Sequence, residues 1–164
     1  MITKKQLLNR KFNIKNIVSE QEVEDFEIDD SGMEDESMGD EEVSNDFAKL
    51  ASILLHSQTQ VHTLHLQTQS YSEHKALQKY YEGVDELVDG LIESYQGKYG
   101  IVKGYETMKI QDWQSTEKTC QYMKNLCKQV DSLRNCCEDT YIQNQIDTIV
   151  ELINSTIYKL KFLK

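Results

Sequence analysis

Four stretches of the chain place apolar residues at steps of three and four, the period of a helix with one buried face. In the first, Phe47, Leu50, Ala51, Leu54, Val61 and His65 recur at those steps, which predicts a helix from about Val43 to Gln69 capped by Ser44. The second stripe is Leu77, Tyr81, Val84, Val88, Leu91 and Tyr95. Ser70 followed by Glu73 has capping-box spacing, so this helix should open near Tyr71 and run to about Tyr95, with Gly97 and Gly100 marking its end. A third helix is expected from Ser115 or Thr116 to about Arg134. The fourth should run from Thr140 to Phe162, with Ile142, Ile146, Ile149, Val150, Ile153, Ile157 and Leu160 inward.

The joints between these helices are unequal. The first and second, and the third and fourth, are separated by only a few residues, whereas IVKGYETMKIQDWQ lies between the second and third. An up-down-up-down bundle does not need such a segment, although it can tolerate one. Two antiparallel hairpins joined by a long crossover do need it. The expected fold class is therefore all-α, a four-helix bundle over residues 44–164.

Charge changes the picture at the N-terminus. The 164-residue chain has a formal net charge of -10, and 13 of its 28 acidic residues fall between Glu20 and Glu42, where there is no basic residue. Residues 1–19 hold five basic residues and no acidic one. The composition of 20–42 cannot bury enough apolar surface to offset the entropy of ordering it, so residues 1–43 are expected to form a charged arm, disordered unless bound. Phe26 and Ile28 are its candidate anchors on a protein partner. Nucleic acid is a poor candidate for the main partner, because 13 carboxylates beside the five positive charges would repel phosphate. No apolar run is long enough for a membrane span or secretion signal, so an intracellular, cytoplasmic protein is expected. Cys120, Cys127, Cys136 and Cys137 show neither CxxC spacing nor a histidine pairing, and read as reduced, mostly packed thiols.

The candidate chemistry lies between residues 62 and 93. His62, His74, Gln78, Asp89 and Glu93 follow one another at intervals of 12, 4, 11 and 4. Histidine and carboxylate together suit an iron or zinc ion. At 100° per residue, and with Val84 as the centre of the buried stripe, His74 falls about 80° away, Gln78 about 120°, Asp89 about 140° and Glu93 about 180°. On the first helix, with Leu54 as centre, His65 lies about 20° off the stripe, His62 about 80° and His56 about 200°. The metal-type residues thus line a flank, and His56 is expected to face solvent.

This series resembles the metal-site pattern of the Dps mini-ferritins, with Gln78 where that family usually has Asp. The stretches LHLQTQSYSEHKAL, SYQGKYG and INSTIYKLKFL are similar to phage-encoded relatives of the Dps and ferritin group. The resemblance covers roughly residues 44–164 and is strongest from 62 to 100. It implies a ferritin-like bundle with a long crossover, and a metal site completed across a two-fold interface. That site would take His62 or His65 and His74 from one chain, and Asp89 and Glu93 from another. The resemblance alone does not choose between the two histidines: the 12-residue interval favours His62, and the local sequence favours His65. Gln78 removes one anionic ligand, and Leu66 or Thr63 stands where a tryptophan often follows the first histidine.

Two functions follow from this reading. One is a structural or adaptor module, of phage origin and associated with a virion, with vestigial metal binding and a homo-oligomeric assembly. The other is a ferroxidase that oxidises Fe(II) at the inter-subunit site and stores iron in an oligomeric shell.

Overall fold

Each of the four periodic stretches forms a helix. In the computed structural model, which describes residues 45–163, these are α1 (Asn45–Gln67), α2 (Tyr71–Tyr99), α3 (Thr116–Leu133) and α4 (Thr140–Phe162), with a short 3-10 turn at Arg134–Cys136. The described residues contain no strand, and no helix among them is long and apolar enough to cross a membrane. The charged 1–43 arm and the expected Ser44 cap lie outside the described residues.

Packing follows the stripes. α1 contacts α2 and α3, and α4 contacts α2 and α3, a cyclic arrangement compatible with a four-helix bundle. Leu50, Leu54, Leu77, Leu91, Ile146 and Ile149 have no exposed surface. Each such side chain contributes about 1.5–3 kcal/mol by leaving water. In α4, Val150 and Ile157 are only partly buried against the core rather than fully inward.

One aromatic position differs from the stripe expected for α2. Tyr80, not Tyr81, fills the core: Tyr80 has no exposed surface and its hydroxyl shares a 2.8 Å hydrogen bond with Ser57 Oγ. A buried phenol needs such a partner, and Ser57 is the residue of α1 that supplies it. Burial drives the Tyr80 pKa well above its ordinary value. Tyr81 turns to the flank, where it meets the histidines.

The helix ends show how the pieces are tied. Ser70 caps α2 by accepting from Glu73 N at 3.4 Å, and Ser115 caps α3 by accepting from Lys118 N at 3.3 Å. α2 continues one turn past Tyr95 and through Gly97. A helical glycine costs about 1 kcal/mol, but that last turn is anchored: Tyr99 packs on Tyr95 at 4.6 Å and its hydroxyl donates to Asp139. Lys98 binds the same carboxylate at 2.5 Å. These two bonds, the lysine's first, hold the Asp139 carboxyl below its usual range. They fix the start of α4 beside the end of α2, so the two helices run antiparallel. Across the α3–α4 turn, Arg134 grips Asp147 through Nε at 2.5 Å and Nη2 at 2.7 Å.

Gly100 ends α2 with φ +86°, ψ 177° and donates its N–H to Gln96 O at 3.0 Å. A side chain at this φ is strained although nothing lies within 4 Å of its Cβ position. Gly100→Ala is therefore expected to lower stability by about 1–2 kcal/mol through backbone strain alone, a shift that urea denaturation resolves.

Residues 101–115 form an extended segment that runs alongside α1, in the same direction. Its backbone is held by α1 side chains in register: Glu106 N donates to Ser52 Oγ at 2.8 Å, and His56 Nε2 lies 3.4 Å from Lys109 O. Gln60 both donates to Gln111 O and accepts from Gln111 N, each at 2.7 Å, as a neighbouring strand would. Gln67 accepts from Trp113 N at 2.6 Å and donates to Asp112 at 2.9 Å. His56, expected in solvent, is half-buried because this segment passes over it.

Candidate functional site

The three-residue joint between α1 and α2 brings His65 and His74 face to face. His65 points inward as its wheel position requires, 7% exposed, and His74 is half-buried. The two rings stack with centroids 3.7 Å apart and planes inclined by 23°. Nδ1 of His65 lies 2.9 Å from His74 O, and Nδ1 of His74 lies 3.0 Å from His65 O. A carbonyl oxygen only accepts, so each Nδ1 carries a proton and donates it across the joint. In a neutral ring with this tautomer, Nε2 is the nitrogen with the available lone pair.

His62 and Tyr81 complete the cluster. The exposed His62 ring stacks on Tyr81 at 4.2 Å, and the edge of Tyr81 meets His65 at 5.0 Å. His62 and His65 are 5.9 Å apart, ring to ring. The structure thus gathers all three histidines of the sequence series at one end of the α1–α2 pair.

Asp89 and Glu93 stand apart from them. Both are exposed on α2, and Asp89 is fifteen residues beyond His74, about 22 Å along the helix axis. Among the described residues no three His, Cys, Asp or Glu side chains of one chain are placed to hold a common metal ion. Gln78 lies between the two sets in an exposed chain of side-chain bonds, accepting from Lys75 and donating to Glu82 at 2.8 Å. Asp85 accepts from Gln58 of α1 at 2.8 Å.

Sequence reasoning treated Glu73 only as the far half of a capping box. Its carboxylate does not reach back to Ser70 N, which bonds to Thr68 Oγ1 instead at 3.2 Å. Glu73 is 2% exposed, with three donors on its two oxygens: Trp113 Nε1 at 3.1 Å, Thr68 Oγ1 at 2.7 Å and Thr116 Oγ1 at 2.7 Å. It therefore joins the α1–α2 joint, the end of the 101–115 segment and the first turn of α3. Beside it opens a cleft of about 600 Å³ lined in part by Ser70, Ser72, Thr116, Cys120, Lys124 and Leu160.

The four cysteines are free thiols. Cys120 and Cys137 are buried and the other two partly so. Burial, then the neighbouring Cys137, push the Cys136 thiol up to about 12, and burial also raises Cys127 and Cys137. These three stay protonated at neutral pH, which is the wrong state for nucleophilic attack.

No curated protein and no solved structure matches the chain. A family model does match, over residues 65–160, a span that begins at the inward histidine and takes in α2, the 101–115 segment, α3 and nearly all of α4. The chain belongs to that family, described as a family of unknown function (DUF5856).

Proposed function

We propose that the protein is a structural or adaptor module with ferritin-like topology, a bundle that assembles with copies of itself and with a protein partner. The observation that carries this reading is the reciprocal His65–His74 pair. Its Nδ1 protons and both carbonyls are spent on each other across the α1–α2 joint, and the neighbouring carboxylate, Glu73, is saturated by three donors. The most chemically capable side chains at this end of the bundle thus hold helices together. The 101–115 segment supports a crossover connection, because it leaves the end of α2 and reaches the start of α3 beside the start of α2. A virion is the assembly that the resemblance to phage-encoded relatives implies.

A second reading, an inter-subunit iron site, is favoured by one coincidence of spacing. His74 with Glu93, and Gln78 with Asp89, are both centred midway between Gly83 and Val84. Two copies of α2 packed antiparallel about that point would bring His74 of one against Glu93 of the other, and Gln78 against Asp89. The histidines are already oriented as ligands commonly are, with Nδ1 bonded to a carbonyl and Nε2 left for a metal. Gln78 contributes no charge there, which weakens binding of a hard cation.

Light scattering on the purified full chain, elemental analysis and iron loading separate the two. The structural reading expects an oligomer without stoichiometric metal and without saturable Fe(II) uptake. Fe(II) oxidation lost in both His74→Ala and Asp89→Ala would replace it with the ferroxidase reading.

A further inference from the structure

The groove between α2 and α4 holds a cluster that the histidine pair does not use. Its register is set where a Cβ on Gly83 would lie 3.4 Å from Leu152 Cδ2, and where Gln145 Nε2 donates to Ser94 Oγ at 3.0 Å. Because the helices are antiparallel, Lys79, one turn before Gly83, and Lys159, two turns after Leu152, lie toward the same end. Their backbones are offset by about 4–5 Å along the axis. Among the described residues neither lysine takes part in an ion pair.

Lys159 is anomalous. Its Nζ is closed off from solvent and has no hydrogen-bond partner, and it is alone in this among the buried side-chain nitrogens and oxygens of the described residues. An ammonium has three donors and no acceptor, so burying it unpaired is strongly unfavourable. Burial, and then the charge of Lys79, lower its pKa. Lys159 is half-buried as a residue, and an ammonium closed off in this way takes its acceptors from an ordered water or from a bound anion.

The geometry points to a phosphate-binding site in the α2–α4 groove, with Lys79 and Lys159 as the paired cations and a phosphate group, free or at the end of a monoester, as the ligand. A dianion matches two ammonium groups in charge, and its oxygens give the orphaned Nζ the acceptors it lacks. Ser155, one turn before Lys159, is exposed on α4. Tyr158 and Phe162, 54% and 60% exposed with rings 5.5 Å apart, follow it on the outward side of α4. They offer apolar surface to the organic part of a monoester.

The test is a titration of the full chain, labelled at lysine, followed by NMR of the side-chain signals. Inorganic phosphate and phenyl phosphate are the two ligands, with potassium chloride at matched ionic strength as control. Saturable movement of the Lys159 signal is expected with phosphate and not with chloride. Lys79→Met, at an exposed position that leaves the core untouched, should weaken binding about tenfold, the loss of one charge-assisted bond. Lys159→Arg should keep binding and Lys159→Met should abolish it. Tighter binding of phenyl phosphate would support the monoester as ligand, and equal binding would support the free ion. Identical shifts with chloride, or undiminished phosphate binding in Lys79→Met, would overturn the site.

Discussion

Glu73→Ala is expected to lower the free energy of unfolding by about 2–4 kcal/mol, the cost of leaving a buried indole N–H without an acceptor and of breaking two further bonds to the carboxylate. Three donors would lose their acceptor at once: the Trp113 indole N–H and the hydroxyls of Thr68 and Thr116. The hydroxyls can rotate toward other acceptors, but the indole N–H is fixed by its ring. Glu73→Gln keeps one acceptor oxygen and should lose about half as much, because its amide presents donors where hydroxyls already donate. Trp113 is the only tryptophan in the chain, so its emission reports this contact directly. A red shift in folded Glu73→Ala, together with the lower midpoint in urea, is the expected pair of results. A loss below about 1 kcal/mol would show that the carboxylate is dispensable and that the packing of α3 against the α1–α2 joint carries this end.

That position also marks the limit of what the residues alone disclose. The helices are legible because each repeats its apolar positions over several turns, and burial acts on that repeat wherever the helix ends up. The inward direction of His65 is legible for the same reason. Glu73 is not, because its donors Trp113 and Thr116 are 40 and 43 residues away and reach it only through the 101–115 segment. That segment has no period of its own; what orders it is a row of polar residues, Ser52, His56, Gln60 and Gln67, on the face of α1 that it covers. In hindsight, three of those four stand at steps of four on a helix, a signal for a bound strand that reads equally well as a solvated face. The extra turn of α2 through Gly97 is invisible locally as well, since Asp139 anchors it from 40 residues off. For the metal-type residues, spacing shows which share a flank of α2. It cannot show which carbonyls the histidine rings have taken, because that depends on the close approach of two helices at their joint.

His65→Ala is expected to cost about 2–3 kcal/mol, and His74→Ala somewhat less because its ring is more exposed. Each substitution removes one Nδ1–H donor, leaves the other residue's carbonyl short of its bond and deletes half of a stacked pair. The two losses should not add. Once one ring is gone the other has already lost its stacking partner, so the double variant should be about 1 kcal/mol more stable than the sum of the singles implies. Urea denaturation of the four proteins measures this coupling. The same four proteins also separate a joint from a ligand set, because a metal that binds only the folded assembly raises its stability with concentration. If the pair serves the fold alone, the coupling persists and added Fe(II) or Zn(II) leaves the midpoint of the unsubstituted protein where it was. If the pair also serves a metal shared with Asp89 and Glu93 of a second copy, added metal raises that midpoint, and His74→Ala and Asp89→Ala each cancel the rise. Asp89 is exposed and remote from the joint, so its substitution should cost under about 0.5 kcal/mol in the absence of metal. Loss of the metal effect in Asp89→Ala therefore cannot be attributed to a weakened bundle.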